Sequence, residues 1–205
     1  MKRRAFVLGL PSLGLAACGA QNIWAPDAAV QSVAFSGTGP KALTLYTMKN
    51  VGSGNGAHTS LLVDASQRVM FDPAGTFGHE TIPERNDVLF GFSPQIEEYY
   101  VSYHARSTFY VISQKVFVPS ETAEMALGLV LSNGAVPKAM CARATSNLLG
   151  RLPGFESIGA TFFPNNLSDD FAKLPGVEAA EYRENDADDK SVAAAQIDAA
   201  IRTGQ

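Results

Sequence analysis

Gly52-Ser-Gly-Asn-Gly56-Ala-His58-Thr-Ser-Leu-Leu-Val63, followed by Arg68-Val-Met-Phe-Asp72 and then Pro73-Ala-Gly75, is the stretch on which the fold of this chain turns. Two apolar, β-prone runs flank a polar turn at Asp64-Ala-Ser66, the pattern of a hairpin. The first run opens on a histidine directly after a glycine-rich loop, and the second closes on an aspartate before proline. Positions 58 and 72 differ by an even number. An odd-numbered turn such as Asp64-Ala65-Ser66 therefore sets the two side chains directly opposite each other on one face, whereas a two-residue turn would send them to opposite faces. On one face, a carboxylate can hold the imidazole tautomer and stabilise its protonated form. Asp72 before Pro73 also has the plainer reading of a cap that closes a strand.

Upstream, Ala42-Leu-Thr-Leu-Tyr-Thr-Met48 alternates Leu43 and Leu45 with Thr44 and Tyr46 and predicts the first strand. Downstream, residues 76–85 read as a loop carrying His79 and Glu80. Ser93-Pro94 starts a helix running to His104, with Pro at the first helical position. Residues 108–118 form the clearest long strand, and Ser120 opens a helix ending near Asn133-Gly134. A second helix, Lys138 to Leu149, is entered through Val136-Pro137 and carries Cys141 in its first turn. The unpaired N–H groups and the dipole there favour a thiolate. Three imidazoles, His58, His79 and His104, are candidates to serve as its base, and His58 is the best placed. His104 follows the Tyr99, Tyr100, Tyr103 cluster and reads as packed, and His79-Glu80 as solvated or cleft-lining. Residues 155–177 are a loop with a short helical piece.

The order Gly-Asn-Gly56-Ala-His58, then Phe71-Asp72-Pro, then Cys141-Ala-Arg-Ala-Thr-Ser146 at a helix start resembles the circularly permuted papain-like superfamily. This superfamily comprises the NlpC-type cell-wall peptidases and their permuted, lecithin-retinol-acyltransferase-like relatives. The resemblance covers residues 42–175 and implies an α+β fold in which the His hairpin precedes the Cys-bearing helix. It also implies a triad of Cys141 as nucleophile, His58 as base and Asp72 as third polar residue. The backbone N–H of Cys141 is the expected oxyanion donor, with Tyr46 as a candidate helper and His79 as a candidate cleft residue or substitute for Asp72. Implied substrates are peptides of the cell wall, with acyl esters or lipids, hydrolysed or transferred, as alternatives. A non-catalytic binding or assembly module on the same fold is the competing class.

At the N-terminus, Lys2-Arg3-Arg4 precedes an apolar run from Phe6 to Ala17, interrupted by Pro11 and too short to span a membrane. Leu15-Ala16-Ala17-Cys18 resembles a bacterial lipobox. Residues 1–17 are thus expected to be a signal peptide and Cys18 an acylated anchor, on a protein exported by the general or the twin-arginine route. Gly19 favours the outer membrane of the envelope. Residues 18–41, rich in Ala, Gln, Ser and Gly, read as a flexible tether, 42–178 as the papain-like domain, and 179–205 as an acidic, then Ala-rich tail.

The chain has 205 residues, of which 46% are hydrophobic and 18% charged, enough for one core. A net charge of −4, without a basic run, excludes a nucleic-acid binder. Two cysteines exclude a disulfide scaffold and a Cys-ligated zinc module, and nothing has the spacing of a metal site, so no cofactor is expected. With Cys18 acylated, Cys141 is the only thiol left. The size excludes a two-lobed solute-binding protein.

Overall fold

The computed structural model describes residues 20–203. The expected signal peptide and Cys18 lie outside these residues. The frame is a seven-stranded antiparallel sheet in the order β4-β5-β3-β2-β1-β6-β7. Its strands are β1 (Ala42–Asn50), β2 (Gly56–Asp64), β3 (Arg68–Phe71), β4 (Glu84–Arg85), β5 (Val88–Leu89), β6 (Phe109–Phe117) and β7 (Glu178–Tyr182). Six helices accompany it: α1 (Asp27–Ser32), α2 (Pro94–His104), α3 (Ser120–Ser132), α4 (Cys141–Leu149), α5 (Pro164–Phe171) and α6 (Lys190–Thr203). The fold is therefore α+β, with the histidine hairpin ahead of the cysteine helix.

Strand alternation sorts the core into two layers. Leu43, Leu45, Leu61 and Val63 pack beneath α3, α4 and α5, against Ala123, Leu127, Leu149 and Phe171. Tyr46, Met48, Leu62 and Met70 face the other way, against Tyr100 and Tyr103 of α2 and Ala193 of α6. With helices on both faces, β1 is buried from Ala42 to Met48, its threonines included. No helix among the described residues is long and apolar enough to cross a membrane.

Four stretches differ from the sequence expectation. The expected tether lies along the body: the Ala25 N–H donates to the Glu84 carbonyl at 2.9 Å and the Asn86 N–H to the Ile23 carbonyl at 3.0 Å. There Arg85 sits 4.7 Å from the centroid of the Trp24 ring and 2.5 Å from Asp27. The expected loop 76–85 ends in a second hairpin, β4 to β5. Its two-residue turn, Asn86-Asp87, has φ of 47° and 67°, the left-handed pair that such hairpins require. Ala139, with φ of 64°, breaks the expected helix of 138–149, so α4 begins at Cys141 itself. Finally, residues 178–182 of the acidic end pair along β6 as an exposed edge strand.

Candidate active site

The hairpin turn has the odd length that the parity of 58 and 72 demands, but sits one residue later. Asp64 pairs with Arg68 around Ala65-Ser66-Gln67. Continuing that register, Asp72 falls opposite Ser60, which makes His58 its diagonal neighbour on the same face. A diagonal pair is within reach of a long side chain, and His58 Nε2 lies 2.7 Å from Asp72 Oδ1. Pro73 has no N–H to donate and ends the ladder. Because β3 stops at Phe71, the outer edge of β2 from Gly56 to Ser60 is left without a strand, and the start of α4 docks there. The Thr59 and Ala142 backbone N–H groups both act to lower the Cys141 pKa. Thiol and imidazole thus meet across a notch in the sheet, from opposite layers.

Asp72, 3% exposed, also accepts from the Tyr100 hydroxyl at 2.8 Å, and Tyr100 in turn lies 2.7 Å from the Ser60 hydroxyl. The turn after it closes tightly: a Cβ on Gly75 would stand 1.8 Å from Asp72 Oδ2, so only glycine fits. Burial pushes the Asp72 carboxyl up, but the charge and hydrogen bond of His58 outweigh it and hold it below the ordinary value. For His58, burial lowers the pKa, while the Asp72 charge, the Asp72 hydrogen bond and Cys141 overcome this and raise it to about 10. Burial likewise raises the Cys141 thiol. The hydrogen bond and charge of His58, with the two backbone donors, prevail and bring it below its ordinary 9.0. With Nε2 committed to Asp72, Nδ1 is the nitrogen left for the sulfur. The group as a whole favours a thiolate–imidazolium pair.

The structure brings Cys141, His58 and Asp72 together and leaves Tyr46 and His79 apart. Tyr46 faces α2, where its hydroxyl donates to Glu97, itself held by Arg68. His79 pairs with Asp198 of α6 at 2.5 Å and with Thr81. His104 is buried, as its aromatic setting implies, yet its ring centroid is 6.1 Å from that of His58. Tyr100 and Gly75 were not foreseen. The tyrosine cluster was the only sequence signal for the former, and its direction could not be read without the helix.

A pocket of about 460 Å³ opens on the α2 side of His58. Met48, His104, Arg106, Asp188 and Lys190 line it together with His58, and Cys141 is not among its lining residues. Among the described residues no group of His, Cys, Asp and Glu side chains could hold a metal ion. Comparison with family models, with curated proteins and with solved structures finds no match to this chain.

His104 carries its proton on Nδ1, which donates to the Tyr100 carbonyl at 2.8 Å. Burial, together with the charge of His58, overcomes Asp72 and lowers its pKa to about 4. A depressed histidine costs the fold nothing above its unfolded pKa. Below about 6.5 the unfolded chain takes up a proton that the folded one refuses until about pH 4, so stability falls across that window. Replacing His104 by Phe is therefore expected to flatten the acid loss between pH 7 and 4.5 by roughly 2–3 kcal/mol. Urea midpoints at the two pH values measure this, and an unchanged difference would refute it.

Proposed function

We propose that this chain is an exported, lipid-anchored thiol hydrolase of the permuted papain-like type, acting on amide bonds of cell-wall peptides. The supporting observation is the Cys141 thiol at the first position of α4, coupled to a histidine whose other nitrogen is held by a buried carboxylate. In the proposed reaction the Cys141 thiolate attacks a carbonyl carbon while the carbonyl π pair moves to oxygen. The Cys141 N–H, one of the first-turn donors without an intrahelical partner, stabilises that oxyanion. When the tetrahedral adduct collapses, the C–N bond breaks and His58 gives its proton to the departing amine. Water, deprotonated by His58, then attacks the thioester, releases the acid and returns the thiolate. Anchoring through acylated Cys18, and the cell envelope as location, belong to the same proposal. Acyl esters or lipids, hydrolysed or transferred to another acceptor, are the alternative substrates for the same steps.

The second reading, a binding module without turnover, has one observation in its favour: Cys141 is only 7% exposed. Alkylation by iodoacetamide separates the two. In the Cys18→Ala chain, where Cys141 is the only thiol, the rate is expected to stay high from pH 8 down to pH 6. An ordinary thiol loses about tenfold per pH unit there. His58→Ala is expected to restore that steep dependence. A thiol that reacts only on unfolding, indifferent to His58, would sink the hydrolase in favour of the binding module.

A further inference from the structure

Cys141 and His58 come from different layers of the structure, so their separation depends on how the linker between α3 and α4 is seated. That linker, residues 133–140, has no regular structure, contains the left-handed Ala139, and leads into a helix without a side-chain cap. Val136 holds it in the core through its side chain. Among the described residues, one hydrogen bond ties its backbone to the sheet: the Val136 N–H donates to Asp87 Oδ2 at 2.6 Å. Asp87 is the second residue of the β4–β5 turn, and its own carbonyl accepts from the Asp72 N–H at 2.8 Å. Burial raises the Asp87 carboxyl, the Val136 and Ala74 backbones pull it down, and the charges of Asp72 and His58 reach it. One residue thus meets both the turn that presents Asp72 and the linker that delivers Cys141. The contact with Val136 spans 49 positions in the chain. The turn itself does not require it, since glycine satisfies the left-handed φ of 67° more readily than aspartate.

Resting on the thiol–imidazole pair of the hydrolase reading, we propose that Asp87 is a positioning residue for that pair: its carboxylate seats the linker ahead of Cys141 while its carbonyl seats Asp72 behind His58. A carboxylate that accepts from a backbone N–H forms a charge-assisted bond, about twice as strong as a neutral one. A displacement of about 1 Å is enough to uncouple a thiol from an imidazole. Loosening the linker lets Cys141 drift from His58, and the thiol loses the hydrogen bond and charge that lower its pKa. Asp87→Gly exposes this role, because it gives the turn the Asn-Gly sequence that two-residue hairpins favour and removes only the carboxylate. Turn energetics alone lead to an equal or firmer hairpin, whereas the positioning role leads to a weaker site.

In the Cys18→Ala chain, the ratio of the iodoacetamide rate at pH 6 to that at pH 9 is expected to fall about tenfold on Asp87→Gly, with the pH 9 rate within about threefold of native. Asp87→Asn tolerates the left-handed turn and keeps an oxygen for the Val136 N–H, so it should hold the ratio within about threefold of native although it carries no charge. A fall as large with Asn as with Gly would assign the effect to the Asp87 charge acting on Asp72, His58 and Glu84, and would overturn the positioning role. A native ratio in Asp87→Gly would overturn it too and leave the hydrolase standing. A lower Tm with an unchanged pH profile would make Asp87 a structural clamp only. Should Cys141 of the native chain react only on unfolding, the hydrolase falls, and the His58 ring titration followed by NMR decides the positioning role instead. From about 10 in the native chain it should move down in Asp87→Gly and stay near native in Asp87→Asn; an unmoved titration in both would overturn the proposal.

Discussion

Asp72→Asn is expected to reduce the reactivity of Cys141 at pH 6 by on the order of 10²-fold while leaving the chain folded. Asn is nearly isosteric, and its amide oxygen can still accept from His58 Nε2 and from the Tyr100 hydroxyl, so the geometry survives. The charge does not. Burial is the largest influence on His58 and pushes its pKa down; only Asp72, helped by Cys141, lifts it to about 10. Without the carboxylate, His58 is expected to be neutral at pH 7, and Cys141 loses the positive charge that lowers its own pKa. The alkylation profile of the variant should move towards that of an ordinary thiol. Retention of the native profile would show that the two backbone donors alone hold the thiolate. The pair also ties stability to pH. The raised His58 contributes fully below its ordinary 6.5, and that contribution is lost as pH climbs through about 10. The lowered Asp72 contributes above its ordinary 3.8 and loses its share as pH falls through its folded value.

Arg68→Met is expected to destabilise the fold by about 3 kcal/mol, a fall in Tm of roughly 10 °C for a chain of this size. Arg68 sits at the start of β3, 8% exposed, and donates to the Phe92 carbonyl and to Glu97 of α2, with Asp64 at 3.6 Å. Glu97 also accepts from Tyr46 of β1. Removing the guanidinium leaves the Phe92 carbonyl and Glu97 partly buried without their main donor, which costs more than the pair itself contributes. The loss reaches the Cys141–His58–Asp72 group, because α2 carries the Tyr100 hydroxyl that braces Asp72. Arg68→Lys keeps the charge but not the several donors and should cost about half as much. Thermal melts, with Cys141 alkylation below the transition, measure both effects. An unchanged Tm would show that the network contributes nothing beyond apolar packing.

The grouping of Cys141, His58 and Asp72 was legible because each member is fixed by a local rule. Parity of 58 and 72 puts two side chains on one face, Pro73 ends a strand, and a helix start follows Pro137. Even so, the turn sits one residue later than the Asp64-Ala65-Ser66 expectation, and diagonal reach, not direct opposition, joins His58 to Asp72. α4 starts three residues after Lys138, and nothing local in the sequence marks Ala139 as left-handed. The other omissions are contacts between segments distant in the chain. Asn86-Asp87 lacks the glycine that usually announces a two-residue hairpin turn. The strand 178–182 is short and exposed and exists only as a partner of β6. Tyr46 and His79 were drawn towards the site by residue type, but Glu97 and Asp198 hold them elsewhere.

If Cys18 is acylated as proposed, the docking of residues 23–25 on β4 sets how far the body can stand from that lipid. A free tether from Cys18 to Lys41 would span about 80 Å at ~3.4 Å per residue. With Ile23 and Ala25 bonded to the β4 hairpin, the leash from Cys18 to Ile23 is at most about 18 Å. β4 is also the terminal strand of the sheet. A lipid on Cys18 would therefore keep that flank turned to the bilayer, and the protein would patrol a thin shell at the membrane surface. Any substrate farther from that surface than the width of the body would have to come to it.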